Sequence, residues 1–395
     1  MEKLLAGTRK MYNKALVIAG LAHFTHDGFT DMLYVFFPLW QAQFSLTFTE
    51  IGFLKTLFSG TMAGFQVPAT YLAHRVGEAR LLLLGTVLTS LSVFLYGWAP
   101  GTVTLGCLLV AGGLGSSVQH PLSSSLISNA YPDAGARRIA LSTFNVAGDI
   151  GKLFLPAGAA LLISLYSWQT ASQAAGILGI GISLILLKNS TKLLQRNAQL
   201  KSEKQAGGLV AWQVSKGFWS LVMVGIIDSS TRMGFLTFFP FVLQEKGAGV
   251  TTIGFALSLI FAGGAMGKLV CGLLATKVGI LRSVIITEVL TALCILGMLA
   301  LPLRLEIILS LLLGVALNGT SSVLYGSVPD LVSEENRKQA FAIFYTATIA
   351  SGAVSPWIYG AVSDSIGIQS SVILVAIVVL FTIPLTIPMR GKLTC

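Results

Sequence analysis

Apolar runs of roughly 20 residues, the length needed to cross a ~30 Å hydrocarbon core, recur along the chain at 15–40, 49–72, 80–98, 103–129, 139–164, 168–187, 216–243, 252–275, 281–301, 306–329, 339–363 and 368–389. Short polar hairpins separate them, so the pattern predicts an all-α polytopic membrane protein with twelve transmembrane helices. An even number of crossings puts both termini on one side. The one long polar interruption, "KNSTKLLQRNAQLKSEKQAGGLVAWQVSK", falls between the sixth and seventh runs. It divides the chain into a six-helix bundle at 1–188, a linker at 189–215 and a second six-helix bundle at 216–395.

The two halves repeat one another. At an offset of 202 residues "TEIGFLKTLF" (49–58) meets "TTIGFALSLI" (251–260), Phe36-Phe37-Pro38 meets Phe238-Phe239-Pro240, and "LAHRVGEAR" (72–80) meets "LATKVGILR" (274–282). At an offset of 200 "RRIALSTF" (137–144) pairs with "RKQAFAIF" (337–344), and Pro156 with Pro356. A repeat of this period reads as a duplication. Because each half holds an even number of spans, the bundles are parallel and pseudo-symmetric, the architecture of a rocking transporter built around a central cavity.

Composition agrees with this reading: 54% of the 395 residues are hydrophobic and only 11% charged, against about a quarter charged in soluble domains. The formal charge of +10 could point to a nucleic-acid partner, but its distribution points elsewhere. Outside the spans only Lys246 and Arg304 fall on the side opposite the termini; the other loop cations cluster with them. This positive-inside bias puts the termini and linker in the cytoplasm and needs no nucleic acid. The opening "MEKLLAGTRKMYNK" reads as the start of a retained first helix rather than a cleaved signal. Cys107, Cys271, Cys294 and Cys395 have no metal or redox spacing and read as packing residues.

The loop "LAHRVGEAR" and its copy resemble the short basic loop of the major facilitator superfamily, which runs roughly Gly-x-Leu-Ala-Asp-Arg-x-Gly-x-Arg. Ala73, Arg75, Gly77 and Arg80 match, as do Gly272, Ala275, Lys277, Gly279 and Arg282; Thr70, His74 and Thr276 depart from it. The resemblance implies gating roles for Arg75, Arg80, Lys277 and Arg282, and a cavity lined by the first, fourth, seventh and tenth helices. "HFTHD" (23–27), Pro38, the His120-Pro121 pair and "LQEKGAGVTTIGFAL" (243–257) also resemble the fosmidomycin-resistance-like branch of drug exporters. The fifth helix departs from the exporter pattern: it reads "GDIGKLFLPAG", with Asp149 and Lys152 where uncharged residues are usual.

An ionisable side chain at mid-bilayer costs about 2.5–3.5 kcal/mol on insertion scales and normally faces a cavity or a partner. His23, Asp27, Asp31 and Tyr34 recur at helical spacing on one face of the first helix, flanked by His26. Asn145, Asp149 and Lys152 share a face of the fifth, and Asp228 and Arg232 are spaced for an ion pair within the seventh. Two carboxylates one turn apart in low dielectric cannot both ionise cheaply, so Asp27 and Asp31, with Asp149, are the candidate proton carriers. His23, His26, Tyr34, His120, Asn145, Lys152, Asp228, Arg232 and Lys268 are the candidate substrate-binding residues. Lys55 and Glu288 read as snorkelling or structural. "GGAMGKL", which holds Lys268, lacks the spacing and the final Ser/Thr of a phosphate loop.

Together these features predict a proton-coupled secondary transporter of the bacterial inner membrane, an antiporter exporting a small organic compound, anionic or amphipathic, by alternating access. Uptake of an organic anion is the alternative, as is transport of a divalent metal or its chelate on His23, His26, Asp27 and Asp31. The expected partners are the substrate, protons and the lipid bilayer. The proton gradient is the driving force, no cofactor is expected, and each chain is expected to work as a monomer. No metalloprotease, Gly-x-Ser-x-Gly or nucleotide-loop motif is present, so an enzyme is not expected.

Overall fold

The computed structural model describes residues 2–196 and 215–390. Its helices are α1 (Glu2–Phe44), α2 (Phe48–Val76), α3 (Glu78–Tyr96), α4 (Thr102–Ser116), α5 (Gln119–Ala130), α6 (Ala134–Leu165) and α7 (Trp168–Arg196), then α8 (Lys216–Glu245), α9 (Val250–Val278), α10 (Ile280–Ala300), α11 (Leu303–Ser327), α12 (Arg337–Ile366), α13 (Ile368–Leu380) and α14 (Thr382–Leu385). The described residues contain no strand. Among the described residues ten spans are long and apolar enough to cross a membrane, and α1 and α2 stand where the other two were expected. Large apolar side chains such as Ile139, Leu269 and Ile308 stand exposed, as lipid-facing surfaces require. The protein is an integral membrane protein.

Two expectations about helix shape are refined. The fourth span is two helices, α4 and α5, with Pro121, which has no N–H to continue a ladder, in the first turn of the second. The last span likewise breaks after Leu380, near Pro384 and Pro388. Helix α7 runs on to Arg196, past the expected end of the first bundle; the remainder of the linker, 197–214, lies outside the described residues.

The duplicated loops fold identically. Gly77 alone joins α2 to α3, with φ 94° and ψ 138°, and Gly279 joins α9 to α10, with φ 88° and ψ 155°. Gly367 makes the same joint between α12 and α13 at φ 84°. Left-handed φ at each explains why glycine stands there. Arg75, Arg80, Lys277 and Arg282 are exposed beside the first two joints. Glu78, in the α3 first turn, accepts from Ser125 Oγ at 2.5 Å and ties this corner to α5.

By internal contacts the chain forms two compact units: Met1–Leu33 with Leu57–Gln205, and Tyr34–Thr56 with Ala206–Cys395. In the first unit α3 packs against α4 and α7, with Leu82, Val118, Leu122, Ile182 and Leu186 in its core. In the second unit α9 and α11 meet backbone to backbone, Gly263 and Gly267 facing Leu311 and Val315, a close approach that only small residues permit in a membrane.

The tip of α1 and α2 belongs to the second unit for a visible reason. Asp364 of α12 accepts hydrogen bonds from the Phe48 and Thr49 amides at 2.9 and 2.8 Å, capping α2 from another helix. Thr47 and Glu50 form a reciprocal capping box beside it, at 2.8 Å and 3.2 Å. Phe48 also packs edge-on against Phe238 and Phe241. Lys55 corrects the expectation of snorkelling: it is fully buried, its ammonium 4.4 Å from the centroid of the Tyr34 ring, a cation–π contact.

Lys246, one of the two cations that depart from the charge bias, is bound by its neighbours. Its ammonium donates to the carbonyls of Met298, Leu299 and Leu301 at 2.7, 2.9 and 2.8 Å, closing the C-terminal end of α10, and pairs with the buried Glu306. Removing one partner of a buried pair leaves an uncompensated charge. Lys246→Met should therefore destabilise the detergent-solubilised protein by about 3 kcal/mol or more, seen as a lowered thermal midpoint, and adding Glu306→Leu should restore most of the loss.

Candidate functional site

The four ionisable groups of "HFTHDGFTD" lie inside the first unit, where α1 is pressed against α6. Glycine makes this possible: Gly151 sits on the Phe24 backbone, and a Cβ at Gly148 would come within 2.6 Å of both Asp27 Oδ2 and His23 Cε1. His23, His26, Asp27 and Asp31 are all buried. The α4–α5 break brings His120 to the same place from a third helix, and Lys152 reaches it from α6.

Asp27 is the centre of the cluster. His23 Nε2 lies 3.2 Å and Lys152 Nζ 3.3 Å from its Oδ2, while His26 Nε2 and His120 Nε2 lie 3.7 and 3.9 Å from its Oδ1. The Lys152 ammonium is also 3.9 Å from Asp31 Oδ2, so one cation spans two carboxylates. The His23 ring stacks on Phe144 at 4.0 Å between centroids. Its Nδ1 lies 2.9 Å from the Phe144 carbonyl oxygen; a carbonyl only accepts, so Nδ1 carries a proton and Nε2 is the nitrogen turned to the Asp27 carboxylate. Two buried carboxylates, Asp27 and Asp31, here share one ammonium.

The other expected site residues are placed differently. Tyr34 clusters with the second unit, its hydroxyl 3.9 Å from Met233 Sδ and its ring stacked on Phe261. Asn145 is exposed and Asp149 half-buried on α6. The Asp228–Arg232 ion pair is not within 4 Å among the described residues: Arg232 Nη1 donates to Ser321 Oγ of α11 at 3.4 Å instead, and Asp228 is buried. Lys268 lines an open cavity of about 460 Å³ with Thr276, Ser322 and Ser327. Glu288 is buried inside the second unit. Phe144 and Gly148 were not among the expected residues; the glycine-rich run around Gly148 was their only sequence signal.

Residues 19–227 and 221–391 match the family model described as Major Facilitator Superfamily. The chain is 23% identical over 373 residues to the D-galactonate transporter of Escherichia coli O6:H1, covering 86% of each. It is 32% identical over 148 residues to the fosmidomycin resistance protein of Escherichia coli K12, but this match spans only 37% of the chain and 36% of that protein. Among solved structures, a bacterial homolog of the human lysosomal transporter Spinster, in an inward-facing and occupied conformation, superposes with a TM-score of 0.76 at 15% identity, covering 94% of this chain and 95% of that one. That likeness concerns the fold.

Gly148→Ala tests how the cluster is held. Alanine favours the helix by about 1 kcal/mol over glycine, but overpacking against buried His23 and Asp27 costs about 1–3 kcal/mol, so the thermal midpoint should hold or fall. His23 and Asp27 must shift, and the histidine ring ¹⁵N signals should move. Gly158→Ala, where a Cβ meets nothing within 4 Å, should leave those signals in place.

Proposed function

The chain belongs to the Major Facilitator Superfamily, and from that premise we infer that this secondary transporter couples the movement of a small organic anion to protons across the bacterial inner membrane, both termini cytoplasmic. The observation that carries the reading is the Lys152 ammonium suspended between Asp27 and Asp31. An anionic substrate competes with these carboxylates for the ammonium. A proton on one of them weakens its hold on Lys152 and favours the anion. Asp31, with its carboxylate 3.9 Å from the same ammonium, is the proton carrier in this reading. Protonation and anion binding are thereby linked through one side chain, which is the requirement for coupled transport.

The anion class draws support from the relative named for D-galactonate, similar along most of its length, and export from the shorter match to the fosmidomycin resistance protein. Because a proton favours the anion at this site, both move the same way and an inward proton gradient drives uptake; export is the second reading and needs proton and anion to exclude one another.

The test is flux in proteoliposomes under an imposed pH gradient, scanning organic anions. Asp31→Asn should keep anion exchange while losing gradient-driven accumulation. Lys152→Gln should weaken anion binding by about tenfold or more, the worth of one charged hydrogen bond. Coupled flux surviving in Asp31→Asn would move the proton site elsewhere, and unchanged affinity in Lys152→Gln would refute the anion site.

A further inference from the structure

We propose that His23, Asp27 and His120 form a binding site for one first-row divalent transition-metal ion. One ring nitrogen of each histidine and a carboxylate oxygen of Asp27 all lie within 4.8 Å of one another. Around a tetrahedral metal at 2.0–2.2 Å from each ligand, donor atoms stand about 3.3 Å apart. The His23–Asp27 separation of 3.2 Å already meets this, and His120 Nε2, 3.9 Å from the Asp27 carboxylate, must move closer to complete it. Two nitrogens and one oxygen suit zinc, cobalt or nickel, not magnesium or calcium.

Two further observations point to a cation at this place. The first is the orientation of His23. Metal-bound histidines commonly donate their second ring N–H to a backbone carbonyl, which fixes the tautomer and aims the other nitrogen at the metal; His23 Nδ1 has that relation to Phe144. The second is unmet hydrogen-bonding capacity. His23 Nε2 and His26 Nδ1 are both buried without a hydrogen-bond partner, on side chains only 5% and 2% exposed. His23 Nε2 is one of the three ligand atoms. His26, with Nε2 3.7 Å from Asp27, flanks the site; the fourth coordination position is open to water or to a donor atom of a cargo molecule.

Lys152 is the competitor. Its ammonium rests 3.3 Å from Asp27 Oδ2 on a side chain about a third exposed, so ammonium and metal would compete for the same carboxylate. This gives the site a signature that a structural role would lack: removing a positive charge from the cluster should improve binding of a positive ion. The metal site does not depend on the anion reading, and its test reads no transport.

The experiment uses the purified full-length chain in detergent, free of any polyhistidine tag and stripped of metal, titrated with Co²⁺. Intense visible d–d absorption saturating at one equivalent, displaced by Zn²⁺ and not by Mg²⁺, is the expected result. His23→Ala and His120→Ala should abolish it, Asp31→Asn should retain it, and Lys152→Met should tighten Co²⁺ by about tenfold. The Lys152→Met arm keeps the test decisive if a histidine variant fails to fold. Absent d–d bands in both wild type and Lys152→Met, bands that survive loss of His23 and His120, or displacement by Mg²⁺ would each overturn the proposal.

Discussion

An ionised carboxylate buried inside a membrane-spanning bundle must be compensated by the side chains around it, and Asp27 imposes this requirement on three helices at once. It holds Lys152 across from α6, draws His120 in from α5, and is approached by two histidines of its own helix. The backbone is arranged to permit this. Gly148 and Gly151 let α1 and α6 touch, and the α4–α5 break turns His120 inward. Removing a buried charge's partner costs more than the pair contributes when intact, so the cluster constrains its helices more than it stabilises them.

Much of the architecture can be read from the sequence because hydropathy measures the dominant physical term. Twelve apolar runs become twelve spans, and the 202-residue offset becomes paired Gly77 and Gly279 joints with matching backbone angles. Helical periodicity likewise finds His23, Asp27 and Asp31, because it reports one face of one helix. It does not report which long side chain will cross to that face. Lys152 reads as a residue of an α6 stripe with Asn145 and Asp149, yet its ammonium extends to α1. Arg232 reads as the i+4 partner of Asp228, yet it reaches Ser321. A flexible side chain can satisfy itself on a neighbouring helix as readily as on its own, and one-dimensional spacing does not decide between them. Tyr34 fails differently: it continues the His23–Asp31 stripe by spacing, but the helix passes from one compact unit to the other between Leu33 and Tyr34.

Duplication copied the scaffold and not the chemistry. At the 202-residue offset the positions of His23, Asp27 and Asp31 become Gly225, Ser229 and Met233. Gly225 packs on Phe344 and Thr348, a purely steric use of the equivalent place. The second half keeps its own buried acids, Asp228 and Glu288, at positions with no acidic counterpart in the first. A symmetric frame with a single-copy charge cluster gives the two halves different tasks.

The Asp364 cap of α2 has a consequence of its own. The aspartate is exposed, so when the tip of α1 and α2 detaches, water can take over both the freed amides and the carboxylate. Undocking then involves an exchange of hydrogen bonds and not their net loss. Redocking must still satisfy two adjacent amides with one carboxylate, which a shifted register cannot do. The contact thus acts as a registration mark: it contributes little to holding power, and it makes the docked position reproducible each time it forms.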